Sequence, residues 1–342
     1  MASNTYYSQK ILDIVNQLPD FCYDFICNTN AGYSPNTRLE YARDIQLFLQ
    51  WLLQNHPEFC DLEMKNISIE HLKKLQSYDI ARFISWYSLN HAPRTTARKR
   101  ATLSAFFSYL CENRALEYSP VTSSSKVKLN EKNLVYLEHD ERDKFLNTVE
   151  YGNGMTNREL VFHDKYKKRD TAIFSLLLDT GLRISELQQI NIKDLDLEKC
   201  NVIVTRKGGD ILPVYFSDNT ALVIEEYLEE KKEKFKNLTE NDPLFTTLKG
   251  DRIGIRALQK LTKKYANIAV PQRADELSPH KLRSTFAMDF YEASGNNILL
   301  LQKKLNHKNI QTTNIYAKAS DKQDAESRNL LQNAKNQRKK QK

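Results

Sequence analysis

Residues 278–320, SPHKLRSTFAMDFYEASGNNILLLQKKLNHKNIQTTNIYAKAS, are the stretch around which this 342-residue chain is organised. His280 and Arg283 stand three apart, His307 follows, and Tyr316 comes nine residues after it. Positions three apart share one face of a helix, so an imidazole and a guanidinium can point together into a cleft. A guanidinium grips phosphate oxygens in a two-point geometry. A tyrosine beside such a grip points to a phosphate under attack as well as held.

Working outward, the length suits two domains better than one core. The composition, 40% hydrophobic and 27% charged, is that of an ordinary globular protein. The net charge of +8 favours an anionic partner. Residues 1–120 balance 12 basic against 12 acidic side chains, so the whole surplus lies beyond them. Cys22, Cys27, Cys60, Cys111 and Cys200 form no CxxC pair and read as scattered reduced thiols. The polar N-terminus has no signal-peptide core, and no stretch approaches the roughly 18 apolar residues of a membrane span. A cytoplasmic protein without a membrane anchor is therefore expected.

Taken in order, residues 6–28 predict a helix interrupted at Pro19. Ser34 and Pro35 then open a helix carrying Leu39, Ala42, Ile45, Phe48, Leu49 and Leu52 at helical spacing. A third helix is expected over about 68–90, and a fourth after Pro93. That fourth helix puts Arg94, Arg98, Lys99 and Arg100 at its start and apolar residues in its second half. Two readings stand: a basic end lying on DNA phosphates, or a solvated amphipathic helix. The Ser-rich segment SPVTSSSKVKLNEKN (119–133) reads as a linker.

Beyond it, YLEHDERDKFLNTV predicts a capped helix, and RDTAIFSLLLDTG a buried helix ending at Gly181, a residue suited to the left-handed position there. Arg183 follows that turn. NVIVT and ILPVYF flank RKGGD (206–210) and predict a hairpin with Lys207 at its tip. From Arg252 to Arg273 the chain carries Arg252, Arg256, Lys260, Lys263, Lys264 and Arg273 and no acid, which fits either a phosphate-facing helix or a solvated face. The tail 321–342 ends with five basic residues in its last eight. It reads as a fraying basic tail or as a helix that docks on a neighbouring subunit.

Singly, each candidate has a bland explanation; Tyr316 is one of 17 tyrosines. Together Arg183, Lys207, the HKLR at 280–283, His307 and Tyr316 form an ordered set. TGLRISEL (180–187), RKGGD and the opening stretch resemble the boxes of the tyrosine recombinase (phage-integrase-like) family, over about residues 134–320. Closer in, the chain resembles the Xer branch of that family, of the XerS type. One departure is Asn306, where the family usually has glycine before the histidine; asparagine tolerates left-handed backbone, so the turn is expected to survive.

The resemblance implies a mainly α fold with a small antiparallel β-sheet. A helical, SAM-like core-binding domain (1–118) and a linker (119–133) would precede a mixed α/β catalytic domain (134–320) and a protomer-exchange tail (321–342). It implies that Arg183 and Arg283 hold a DNA phosphodiester, that Tyr316 attacks phosphorus, and that His280 takes the phenolic proton. Lys207 would protonate the leaving 5′-oxygen and His307 would donate to the phosphate; Glu186, one turn after Arg183, reads either as a residue that orients the site or as a plain helix-surface glutamate. No cofactor and no metal are required, because the covalent ester conserves the diester's free energy. The implied partners are double-stranded DNA with a specific recombination site and a homotetramer on two such sites, with an accessory protein left open. Resolution of chromosome dimers and integration of a mobile element share this chemistry. A type IB topoisomerase and a non-catalytic DNA-binding regulator are the rivals that remain.

Overall fold

The computed structural model describes residues 2–27, 32–122, 125–129, 133–206, 209–307 and 309–320. It divides into two compact units, Met1–Glu131 and Lys132–Lys342.

The first unit is helical. Helices α1 (Ala2–Val15) and α2 (Asp20–Cys27) are separated at Pro19, as a residue without an N–H requires. In α3 (Pro35–Asn55) the Ser34 hydroxyl accepts from the Thr37 N–H, and proline occupies the first turn. The single helix expected over 68–90 is two, α4 (Ile69–Lys73) and α5 (Ser77–Ser88). The cause is local: the Asp79 carboxylate accepts from the Gln76 N–H at 2.9 Å and starts a new N-terminus there. Helix α6 (Pro93–Glu112) completes the unit. Its Phe106 and Phe107 meet Ile45, Phe48 and Phe83 in a buried core. Val121 and Val127, which the sequence places in a linker, pack against this core, and Arg100 donates to the Thr122 carbonyl (2.8 Å) and to Ser125 Oγ (3.0 Å).

The second unit is built on α9 (Lys167–Thr180), where Ala172, Ile173, Phe174, Leu176 and Leu177 are all buried. Around it lie α7 (His139–Tyr151), α8 (Asn157–His163), α10 (Ile184–Gln189), α11 (Asp218–Lys234), α12 (Ile255–Ala269) and α13 (Pro279–Ala293). Strands β2 (Asn201–Thr205) and β3 (Ile211–Tyr215) form the expected hairpin, pairing Val202 with Val214 and Val204 with Leu212. A two-residue strand, β1 (Leu195–Asp196), adds to β2 and is not legible in the sequence, being too short to show alternation. Helix α14 (Ile298–Leu305) and the helical residues 314–320 pack on α13 through a smaller apolar cluster of Phe286, Met288, Tyr291, Leu301, Leu305 and Tyr316. Among the described residues no helix is long and apolar enough to cross a membrane.

Candidate active site

Three helix junctions bring the polar groups together. Helix α9 stops at Gly181, which takes φ +61 and ψ +27. The next polar residue, Arg183, is the N-cap of α10, its N–H donating to Glu186 Oε2 at 2.8 Å. Helix α13 opens with Ser278 and Pro279, which sets His280 and Arg283 on its first turns. Helix α14 stops at Asn306 with φ +49 and ψ +52, and the His307 N–H closes the turn on the Gln302 carbonyl at 3.1 Å. Asparagine thus takes the left-handed position expected of it.

Arg283 is buried and seated on helix ends. It donates to the Gly181 carbonyl and, at 2.7 Å, to the Leu305 carbonyl. Both groups are orphan acceptors at helix C-termini, so they stabilise a cation without cancelling its charge. Burial first, and then the nearby Arg183 and Arg206, pull its guanidinium down to about 10, still fully protonated at neutral pH.

His307 lies on the same side. Its Nε2 is 3.5 Å from Arg283 Nη2, a long contact in which only the nitrogen lone pair can accept. The proton therefore sits on Nδ1, which donates to Thr313 Oγ1 at 3.0 Å. Burial, then Arg283, Arg183, His280 and Arg206, push the imidazolium down to about 4. A histidine kept neutral by the fold contributes stability that is present above its unfolded value near 6.5 and lost as pH falls through about 4. The expected result is that Tm falls between pH 6.5 and 4 more steeply for the unchanged chain than for His307→Gln, the difference amounting to about 2–3 kcal/mol. Parallel acid-range melts of the two proteins check it.

His280 is exposed. Partial desolvation and the charges of Lys281, Arg283 and Arg183 hold its imidazolium below the ordinary 6.5. Tyr316 is 6% exposed, and burial raises its phenol above the ordinary 10, opposed by a hydrogen bond with Ser284 and by the charge of Arg283. Ser284 Oγ in turn donates to the His280 carbonyl at 3.2 Å.

The structure thus places Arg183, His280, Arg283 and His307 near enough for their charges to act on one another, with Tyr316 beside Arg283 and Ser284. Lys207 lies outside the described residues, as does the tail 321–342. Three participants are absent from the sequence-based set: Arg206, Ser284 and Thr313. Arg206 stands beside the lysine that the hairpin reading favours, yet it is 5% exposed and donates to Glu186 Oε2 at 2.7 Å. Glu186, buried, joins it to Arg183, whose Nη1 is 2.8 Å from Oε1. Among the described residues no group of three His, Cys, Asp or Glu side chains is arranged to hold a metal.

The cations expected on DNA divide in two. Lys99 is buried and ion-paired with the buried Asp44, so its expected surface role is corrected: it is a core charge partner. Arg98 makes two bonds to the same carboxylate, at 2.8 and 3.2 Å. Arg252 donates to the Gln188 and Ile190 carbonyls and to Asn191, and Lys263 to the Ala274 carbonyl and Asp275, so both fasten loops. Lys264 lies over the Tyr265 ring. Arg94, Arg256 and Lys260 are exposed, the last two one turn apart on α12, away from its buried Leu258, Thr262 and Tyr265.

Comparison with known proteins fits this geometry. Residues 136–323 match the phage integrase family, and residues 28–114 match the phage integrase N-terminal SAM-like domain. Tyrosine recombinase XerS of Lactococcus lactis subsp. cremoris (strain MG1363) is 30% identical over 342 residues, covering 90% of this chain and 94% of its own. Tyrosine recombinase XerC of Caldanaerobacter subterraneus subsp. tengcongensis is 29% identical, with 86% of this chain and 81% of its own covered. In fold, the chain is similar to the XerH site-specific recombinase in a post-cleavage complex with a palindromic difH substrate. The TM-score is 0.70 at 21% identity, over 96% of this chain and 89% of that one. It is also similar to the Tn1549 transposon integrase, with TM-score 0.63 at 20% identity over 87% and 95% of the two chains. Arg283 beside the buried Tyr316 leads, with these matches, to one conclusion: the chain is a member of the phage integrase family, a tyrosine recombinase that carries out site-specific DNA recombination.

Proposed function

We propose that Tyr316 is the nucleophile, that Arg183 and Arg283 hold the scissile phosphodiester, and that the reaction serves Xer-like resolution of chromosome dimers. The observation that carries the assignment is the seating of Arg283 on carbonyls beside Tyr316 and His307, which leaves a buried positive charge for an incoming anion.

In the proposed reaction the Tyr316 oxygen bonds to phosphorus as the bond to the 5′-oxygen breaks. The product is a 3′-phosphotyrosyl ester and a free 5′-hydroxyl. His280, neutral at pH 7 because its imidazolium is destabilised, accepts the phenolic proton. Lys207 supplies the proton of the leaving oxygen. The two arginines balance charge on the pentacoordinate phosphorus. For His307 to donate to a phosphate oxygen, its proton must move to Nε2; the Thr313 hydroxyl can donate as well as accept, so this tautomer keeps its partner. Likeness to Xer recombinases over 81% and 94% of their own length supports the cellular role.

Nicked DNA carrying the cognate site tests the chemistry: a protein–DNA adduct stable to denaturing electrophoresis is expected, with the DNA on the peptide that contains Tyr316. No adduct would leave a non-catalytic binder. Relaxation of supercoils without any specific site would point instead to a topoisomerase.

Two predictions concern DNA and assembly. Replacing Arg256 and Lys260 together with alanine is expected to weaken binding and lower the salt slope of log K by about 2, while the cleavage rate at saturation holds. Titrations at several salt concentrations measure it. For a tetramer on two sites, deleting residues 321–342 is expected to impair recombination far more than DNA binding. Equal loss of both in gel-shift and recombination assays would count against tail-mediated assembly.

A further inference from the structure

We infer that Arg206 is a positioning residue: by occupying one oxygen of Glu186 it keeps the Arg183 guanidinium available to the DNA phosphate. The inference rests on reading the site as a DNA transesterase, and it concerns a residue that makes no claim on the reacting atoms.

Three observations carry it. First, the Glu186 carboxylate is shared and saturated. Oε1 accepts from Arg183 Nη1 at 2.8 Å, and Oε2 accepts from Arg206 Nη1 at 2.7 Å and from the Arg183 N–H at 2.8 Å. Second, Arg206 is no mobile surface residue. Its side chain is 4% exposed, its N–H donates to the Asp210 carbonyl at 2.7 Å, and its carbonyl accepts from the Gly209 N–H at 3.0 Å. The end of β2 therefore fixes the guanidinium against α10. Third, its charge reaches the candidate site, since it is among the groups that disfavour the protonated forms of Arg283 and His307.

The physical consequence follows from charge balance. A buried carboxylate with a single arginine draws that guanidinium into a two-point fork, turning its charge inward. Here a second arginine takes part of the carboxylate, so one negative charge is split between two cations. Arg183, a third exposed, keeps a free edge and a net positive charge. The arrangement is poorly explained as a stabilising device. Arg206 Nε is buried without an acceptor among the described residues, and buried ion pairs add little stability on balance.

The test measures single-turnover cleavage of nicked DNA at saturation, and DNA affinity separately, for the unchanged chain, R206M, E186Q and E186Q/R206M. R206M is expected to cleave about 10- to 100-fold more slowly with affinity held within about threefold. The double variant is expected to regain at least about fivefold over R206M, because the neutral amide that replaces the Glu186 carboxylate no longer captures Arg183. Cleavage by R206M within about twofold of the unchanged chain overturns the inference, as does a double variant slower than R206M. Should R206M fail to fold, E186Q and the double variant decide the matter. Rates within about threefold of each other uphold the role, and a further tenfold loss overturns it. An unchanged chain that forms no adduct would sink the transesterase reading itself, an outcome separate from these.

Discussion

Tyr316→Phe is expected to bind its DNA site as tightly as the unchanged chain and to form no covalent adduct, a loss of at least about 10⁴-fold in cleavage. Phenylalanine fills the same buried space among Phe286, Leu301 and Leu305. The hydroxyl it lacks faces Ser284, whose own hydrogen bond to the His280 carbonyl remains, so no buried group is orphaned. The stability cost is accordingly under about 1 kcal/mol. What disappears is the oxygen that, in the proposed reaction, bonds to phosphorus. The buried phenol lies above its ordinary pKa, so it is neutral at pH 7 and, in the proposed attack, has to lose its proton. Single-turnover rates should therefore fall as pH drops and His280 becomes protonated, below that histidine's ordinary value. Denaturing electrophoresis on nicked DNA reads the main result directly; an adduct that survives in Tyr316→Phe assigns the attack to another side chain.

Gly181→Ala is expected to lower Tm by about 5–15 °C and to reduce cleavage along with it. A β-carbon at Gly181 would stand 2.2 Å from Phe286 Cδ1, far inside contact distance, and the backbone there has φ +61. The backbone term costs about 1 kcal/mol. Displacing a packed ring adds about 1–3 kcal/mol. Gly295 separates the two: it has φ +66, yet nothing lies within 4 Å of its added carbon. Gly295→Ala should therefore lose only the backbone share, about 1 kcal/mol. If thermal melts give both variants the same loss, the Phe286 contact is not what Gly181 protects. Activity follows stability at this position because the Gly181 carbonyl seats Arg283 and Phe286 lines the cluster that holds Tyr316.

Much of this is legible in the sequence because the signals are local. Pro19, Ser34 with Pro35, Pro93, Gly181 and the RKGGD turn each act within a few residues, and each ends or starts the element expected of it. The split between α4 and α5 escapes a sequence reading because apolar spacing runs through it, while the interruption depends on one Asp79–Gln76 hydrogen bond. The site residues are visible as an ordered set; which of them pair with which is not. Lys99 and Arg252 carry the same charge as Arg256 and Lys260, but the first is spent on Asp44 and the second on loop carbonyls. Arg206 is obscured for the same reason: a basic residue at a hairpin reads as solvated until a buried carboxylate across the fold claims it.

The seat of Arg283 has a further consequence, for which substitutions are tolerable. One guanidinium reaches the ends of α9 and α14 at once, so its shape ties two helices that are 125 residues apart in sequence, from Gly181 to Asn306. A lysine would keep the charge and lose the span, since a single ammonium on a flexible stem cannot present a planar fork to both carbonyls. Charge and architecture are here one property of one side chain. An exposed cation such as Arg256 can be replaced without disturbing the fold, but this arginine cannot be traded without redrawing the junction it fastens.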